Sequence, residues 1–159
     1  MSLPVRLLAA AALSAGLFST TGCAQDDGRW VEVAGTRYKV EVADEEEERR
    51  MGLMFRETMP EDGGMIFIHP DTQRLAYWMK NTRIPLDILY FDEQRRLVSQ
   101  QRDVPPCALG DGCPSYPSSG PARYVLELNA GQAAKIGLKD GAAITFGPGV
   151  PERAVDASR

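Results

Sequence analysis

Residues 77–91 read YWMKNTRIPLDILYF, and the second half of that stretch decides the fold. Side chains alternate along an extended chain. LDILYF therefore sends Leu86, Ile88 and Tyr90 to one face and Asp87, Leu89 and Phe91 to the other. A carboxylate with apolar neighbours needs hydrogen bonds or a cation. Lys80 and Arg83, a few residues upstream, are the cations nearest to Asp87 in sequence. In the first half, Tyr77-Trp78-Met79 ends a preceding strand. The polar insert Lys80-Asn81-Thr82-Arg83 is either a turn, for which the Asn81 and Thr82 side chains are suited, or a cluster that binds something.

The same period repeats outward in both directions. WVEV and TRYKVEV flank a turn at Ala34-Gly35, and Tyr38, Val40 and Val42 alternate with Lys39 and Glu41. GGMIFIHP reads as a buried strand stopped by Pro70. RLAYWMK follows the turn His69-Pro70-Asp71, and RLVSQQRD follows a turn at Asp92-Glu93. RYVLELN and AAITFG supply two more strands. ADEEEERRMG reads as a short helix capped by Asp44, with Glu47 completing a capping box and Gly52 closing it. Its glutamates lie at the positive end and Arg49 and Arg50 at the negative end, which makes helix electrostatics a better account than a calcium loop. NAGQAAKIG reads as a second short helix, capped by Asn129 and ended by Gly137. About eight short strands and two short helices, without repeats or βαβ crossovers, predict an all-β (mainly β) compact sandwich or small barrel.

With 159 residues, 43% hydrophobic and 25% charged, the chain fits one globular domain. Its net charge of −4 lacks the basic footprint of a nucleic-acid binder. The first residues stand apart. Arg6 precedes an apolar run over residues 7–18, followed by small residues, which is the pattern of a signal peptide. Gly22-Cys23 resembles the end of a lipobox, with Cys23 lipidated, although Thr20 stands where Leu is usual; the other reading is cleavage after Ala24. The expected organisation is a signal peptide at 1–22, a linker at 23–29, one β domain at 30–147 and a flexible tail at 148–159. Export predicts a periplasmic or outer-membrane-associated protein of the cell envelope. An oxidising compartment favours a disulfide between Cys107 and Cys113 in the loop PPCALGDGCPSYP. A single His with two thiols is a poor zinc set. Residues 104–122, with five prolines, are expected to be irregular.

Two acids enclosed by apolar strands carry the chemical signal. Glu127 shares a face with Val125 and Asn129, against Tyr124, Leu126 and Leu128. Asp87 and Glu127 can each tie down a neighbouring loop by accepting backbone N–H bonds, or each can serve a site. His69 reads as a surface turn residue. The serines at 115, 118 and 119 lack a G-x-S-x-G elbow, no phosphate loop is present, and the methionines with Trp78 read as core.

The segments MGLMFRETMPEDGGMIFIHP, WMKNTRIPLDILYFD and ARYVLELNAG together resemble the domain of unknown function 192 family over roughly residues 30–147. The resemblance implies a compact all-β fold with short helices and no known activity, so it assigns no catalytic residue. The expected function is a membrane-tethered binding or accessory module, with a candidate site at Lys80, Asn81, Asp87, Glu127, Asn129 and Arg56. A small envelope hydrolase using Asp87 or Glu127 as general acid or base is the alternative; a purely structural envelope protein is the third. Neither a metal nor a cofactor is implied. The expected partners are the membrane, through lipid on Cys23, and an unidentified small molecule or envelope component, with the chain acting as a monomer.

Overall fold

The alternating runs form seven strands in a computed structural model that describes residues 27–155. The signal-like segment and Cys23 lie outside the described residues. The strands are β1 (Trp30–Val33), β2 (Thr36–Ala43), β3 (Gly63–Trp78), β4 (Leu86–Phe91), β5 (Leu97–Val104), β6 (Ser115–Asn129) and β7 (Ile144–Phe146). They join in one sheet of order β5-β4-β6-β3-β2-β1-β7, curved into a half-barrel. All neighbours run antiparallel except β2 and β3. Parallel neighbours need a crossover, and helix α1 (Glu46–Met51) lies within it. This corrects the expectation of no helical crossover. The second helix, α2 (Gln132–Lys135), follows β6.

Both faces of the sheet are packed. One face holds Val31, Tyr38, Ile66, Leu89, Phe91 and Leu126, closed by Ala133 and Leu138 from the α2 segment. The other holds Phe67, Leu86, Ile88, Tyr90 and Val125, covered by Leu53, Met79 and Ile84. Every residue of β4 is buried, and each large apolar side chain so placed contributes about 1.5–3 kcal/mol. The edge strands meet at one end, where Leu97 N donates to Ala142 O at 2.9 Å and Ile144 N to Arg95 O at 3.0 Å. Backbone groups that would otherwise template a foreign strand are thereby paired.

Several expectations change. The strands number seven among the described residues because two are long. β3 runs through Pro70 for 16 residues, and β6 reaches back through Pro117 and Pro121 for 15. The prolines sit at or beside irregularities in the β3–β6 register, between Ile68 and Gln73 and between Arg74 and Ala76, where a missing N–H costs little. Residues 115–122 are thus strand rather than loop. His69 and Tyr77 would lie about 26 Å apart on a straight strand, yet their side chains hydrogen-bond at 2.9 Å, so β3 must bend sharply between them. The caps shift by a residue or two. Glu45 and Glu48 form the capping box of α1, and Gly131, with φ of 84°, starts α2. The Ala34-Gly35 turn is as expected, with φ of 49° and 75° and Val33 opposite Thr36. Residues 148–155 are not a free tail: Val150 is buried, and Tyr124 Oη donates to Glu152 O at 2.9 Å. Cys107 and Cys113 are bonded, with Cα atoms 5.9 Å apart.

Candidate functional site

Glu127 is the unusual residue. Strand alternation on β6 puts it beside Val125, and the register places it between Met65 of β3 and Ile88 of β4. It is 4% exposed, and no group among the described residues donates a hydrogen bond to its carboxyl. Burial pushes that carboxyl up to about 8, so it carries a proton at neutral pH.

The carboxyl faces a narrow cleft of about 30 Å³, roughly the share of one water molecule. Phe67 shares its lining. The end of α1 (Arg49, Arg50) and residues 51–54 form one side, and Tyr77, Trp78, Lys80 and Thr82 form the other. Gly52 permits this arrangement. Its φ is 48°, and a Cβ there would stand 3.3 Å from the Phe67 ring. The Tyr77 ring packs edge-on against Phe67 at 5.0 Å and Tyr90 at 6.0 Å. Its hydroxyl is spent on His69 Nε2, and that of Tyr90 donates to Tyr116 O at 2.5 Å. Burial, and then the Glu127 carboxyl, push both phenols up. Burial, and then Arg49, push His69 down to about 4, so the Tyr77–His69 bond joins neutral groups.

The cations around the cleft are already engaged. Arg49 Nη1 donates to Asp44 O and, at 3.0 Å, to Ile68 O. Arg50 forks onto Glu47. Lys80 Nζ pairs with Asp111 and lies 4.8 Å from the Trp78 ring centre.

The six candidate residues do not gather in one place. Lys80 and Glu127 share the cleft. Asp87, fully buried, faces the opposite side of the sheet, because its cross-strand partner is Leu128 while that of Glu127 is Ile88. Asp87 Oδ1 accepts from Asp103 N at 2.9 Å and Oδ2 from Ala133 N at 2.7 Å. Its partners are backbone amides of β5 and of the first turn of α2, not Lys80 or Arg83. Asn129 donates to Met59 O and Pro60 O, pinning the crossover loop. Arg56 grips Glu41 through two bonds of 2.6 and 2.8 Å. Asn81, with φ of 55°, lines a separate groove of about 380 Å³ with Phe55, Arg83 and Pro106. A larger groove of about 770 Å³ runs past Glu41, Met59 and Gly64. Neither groove has an unpaired buried carboxyl, which is why the smaller cleft is the candidate. Sequence reading missed Arg49, Phe67, Tyr77 and His69; the last is a half-buried partner of Tyr77, not a surface turn residue. Among the described residues no three His, Cys, Asp or Glu side chains gather as a metal set, and no helix is long and apolar enough to cross a membrane.

Residues 29–146 match the family described as DUF192, Uncharacterized ACR, and the chain belongs to that family. A crystal structure of a proposed transcription regulator from Sinorhizobium meliloti 1021 is 32% identical, with a TM-score of 0.68, over 76% of this chain and 94% of that one. A protein of unknown function from Novosphingobium aromaticivorans DSM 12444 is 34% identical, with a TM-score of 0.67, over 74% of this chain and 84% of that one. No curated protein matches.

Proposed function

We infer that this member of the DUF192 family is an exported, membrane-tethered binding module whose ligand enters the Glu127 cleft. One observation carries the reading: a carboxyl 4% exposed, facing a cleft, with no hydrogen-bond partner among the described residues. Such a group costs stability where it stands, and a ligand that satisfies it would recover that cost. Export and the lipid anchor rest on the residues before Ala24. The regulatory role proposed for the Sinorhizobium relative is not part of this reading, because a net charge of −4 does not favour nucleic acid as the ligand.

A second reading has a specific observation behind it. A carboxyl held to about 8 is matched to general-acid work at neutral pH, as a small hydrolase would need. Against it, the neighbouring His69 and Tyr77 are bonded to each other, and the nucleophile types in the lining are engaged elsewhere, Lys80 with Asp111 and Thr82 Oγ1 with Lys80 O. Asp87 is a poor candidate for either role, with both oxygens on backbone amides.

The test is a thermal-shift panel of amines, organic acids, sugars, nucleotides, metals and cell-wall fragments on the parent and on Glu127→Gln. A ligand of the native state raises the midpoint. A compound that stabilises the parent and not the variant supports the reading. If the compounds that bind shift both proteins equally, the Glu127 site is refuted.

A further inference from the structure

We propose that the Glu127 cleft receives the head group of a primary ammonium ligand on a slim, unbranched stem. The proposal rests on Glu127 being the binding group and deepens that reading by naming the ligand class.

Three features favour ammonium. The first is hydrogen bonding, and it must outweigh the Arg49 charge, which is held on neutral carbonyls beside the cleft and opposes a second cation. Arg49 is bonded to backbone carbonyls, Arg50 to Glu47 and Lys80 to Asp111, so none of these cations is bonded to Glu127. A buried carboxylate without a cation or donors is unfavourable, and an incoming ammonium supplies both, with three N–H donors. The second is size. A space of about 30 Å³ admits one water-sized group. An ammonium has one heavy atom at its head; a guanidinium, carboxylate or phosphate has three or more. The third is the lining. Phe67, Tyr77 and Trp78 are part of the lining, aromatic rings attract cations, and the Trp78 ring already has the Lys80 ammonium 4.8 Å from its centre.

Binding is then coupled to a proton. The charged or titratable groups around Glu127 are Tyr77 from β3, Tyr90 from β4, Arg49 and Arg50 from α1, and Lys80 beyond β3. Both tyrosines stay neutral at physiological pH, so the proton that moves is that of Glu127. The free site holds a carboxylic acid. The occupied site holds a carboxylate beside an ammonium, and the released proton goes to solvent.

The experiment is calorimetric titration of the purified chain with n-butylamine, n-butanol and butyrate in buffers of different ionisation heat. The side-chain carboxyl resonance of Glu127 is followed by carbon NMR. Butylammonium is expected to bind at millimolar concentrations, to move that resonance to the ionised position and to release close to one proton at pH 7. Its affinity should exceed that of butanol or butyrate by about tenfold or more and fall by a similar factor in Glu127→Gln. The proton release needs no variant, so a misfolded Glu127→Gln does not spoil the test. Preference for butyrate or butanol, with the Glu127 resonance moving, would overturn the ammonium class and keep the cleft as a binding site. Butylammonium binding without proton release, or equally in Glu127→Gln, overturns the proposal. If no probe moves the resonance, the proposal fails, and the wider panel decides the reading beneath it.

Discussion

A glutamic acid that keeps its proton to about pH 8 in the fold, against 4.5 in the unfolded chain, couples stability to pH. Between those values the unfolded chain has released a proton that the native chain retains. The stability present below pH 4.5 therefore falls as pH rises and is fully lost only above about 8. Glu127→Gln cannot ionise, so it should be the more stable protein at pH 8 by up to a few kcal/mol, and close to the parent at pH 5. Urea denaturation at the two values checks this, and equal gaps at both would show that Glu127 does not titrate as described. His69 works in the opposite sense. Its folded value of about 4 lies below the ordinary 6.5, so its contribution is present above pH 6.5 and lost as pH falls toward 4. His69→Gln is expected to flatten that acid limb. Asp87 tests position rather than titration. Asp87→Asn leaves one acceptor and turns an N–H donor toward a backbone amide, costing about 1–3 kcal/mol; Asp87→Leu strands both amides and should cost roughly twice that. Unchanged midpoints in both variants would remove Asp87 from its structural role.

The strand period makes each acid's face legible within its own strand, and the two hydrophobic clusters divide as the alternation in 86–91 and 124–129 implies. The relation between the strands is not legible. That Ile88 lies opposite Glu127, and Leu128 opposite Asp87, is a matter of register, fixed by pairings between residues about forty apart in sequence. A reading along the chain therefore draws the two acids into one cluster, whereas the sheet sends them to opposite faces. The bend in β3 hides the His69–Tyr77 pair in the same way: a proline that reads as a strand end is carried through an irregular register inside one strand. The disulfide loop is legible because its two cysteines are close in sequence. It bears on the cleft, since Asp111, between the cysteines, holds Lys80, and Cys107 bridges to Lys80 along the backbone. Closing so short a loop contributes about 2 kcal/mol in the chain-entropy model. Reduction is expected to lower the unfolding free energy by no more than that, to speed amide exchange over 107–113 and to leave β3, β4 and β6 protected. Exchange that quickens equally in the central strands would mean the bond holds the core rather than the loop.

A half-barrel packed on both faces needs cover for its outer side, and here the α1 loop and the residues between β3 and β4 provide it. The Glu127 cleft is the seam where those two covers meet, which explains why the site is narrow and why no single segment announces it. The acidic whole, at −4, should repel anionic lipid headgroups rather than dock on them, so the membrane tether proposed above is assigned to an anchor and not to surface charge. The lipidation proposed at Cys23 would supply one; the proposal rests on the apolar run over 7–18 and Gly22-Cys23. A diacylated N-terminus binds bilayers stably where a single chain does not. Membrane-extracted protein is therefore expected to have an intact mass that begins at Cys23 and includes lipid, and Cys23→Ser should release the chain from the membrane fraction with its fold and cleft unchanged. A mature form that begins at Gln25 without lipid would leave the protein exported but untethered, and would move any partner of the Glu127 cleft from the membrane surface to the surrounding solution.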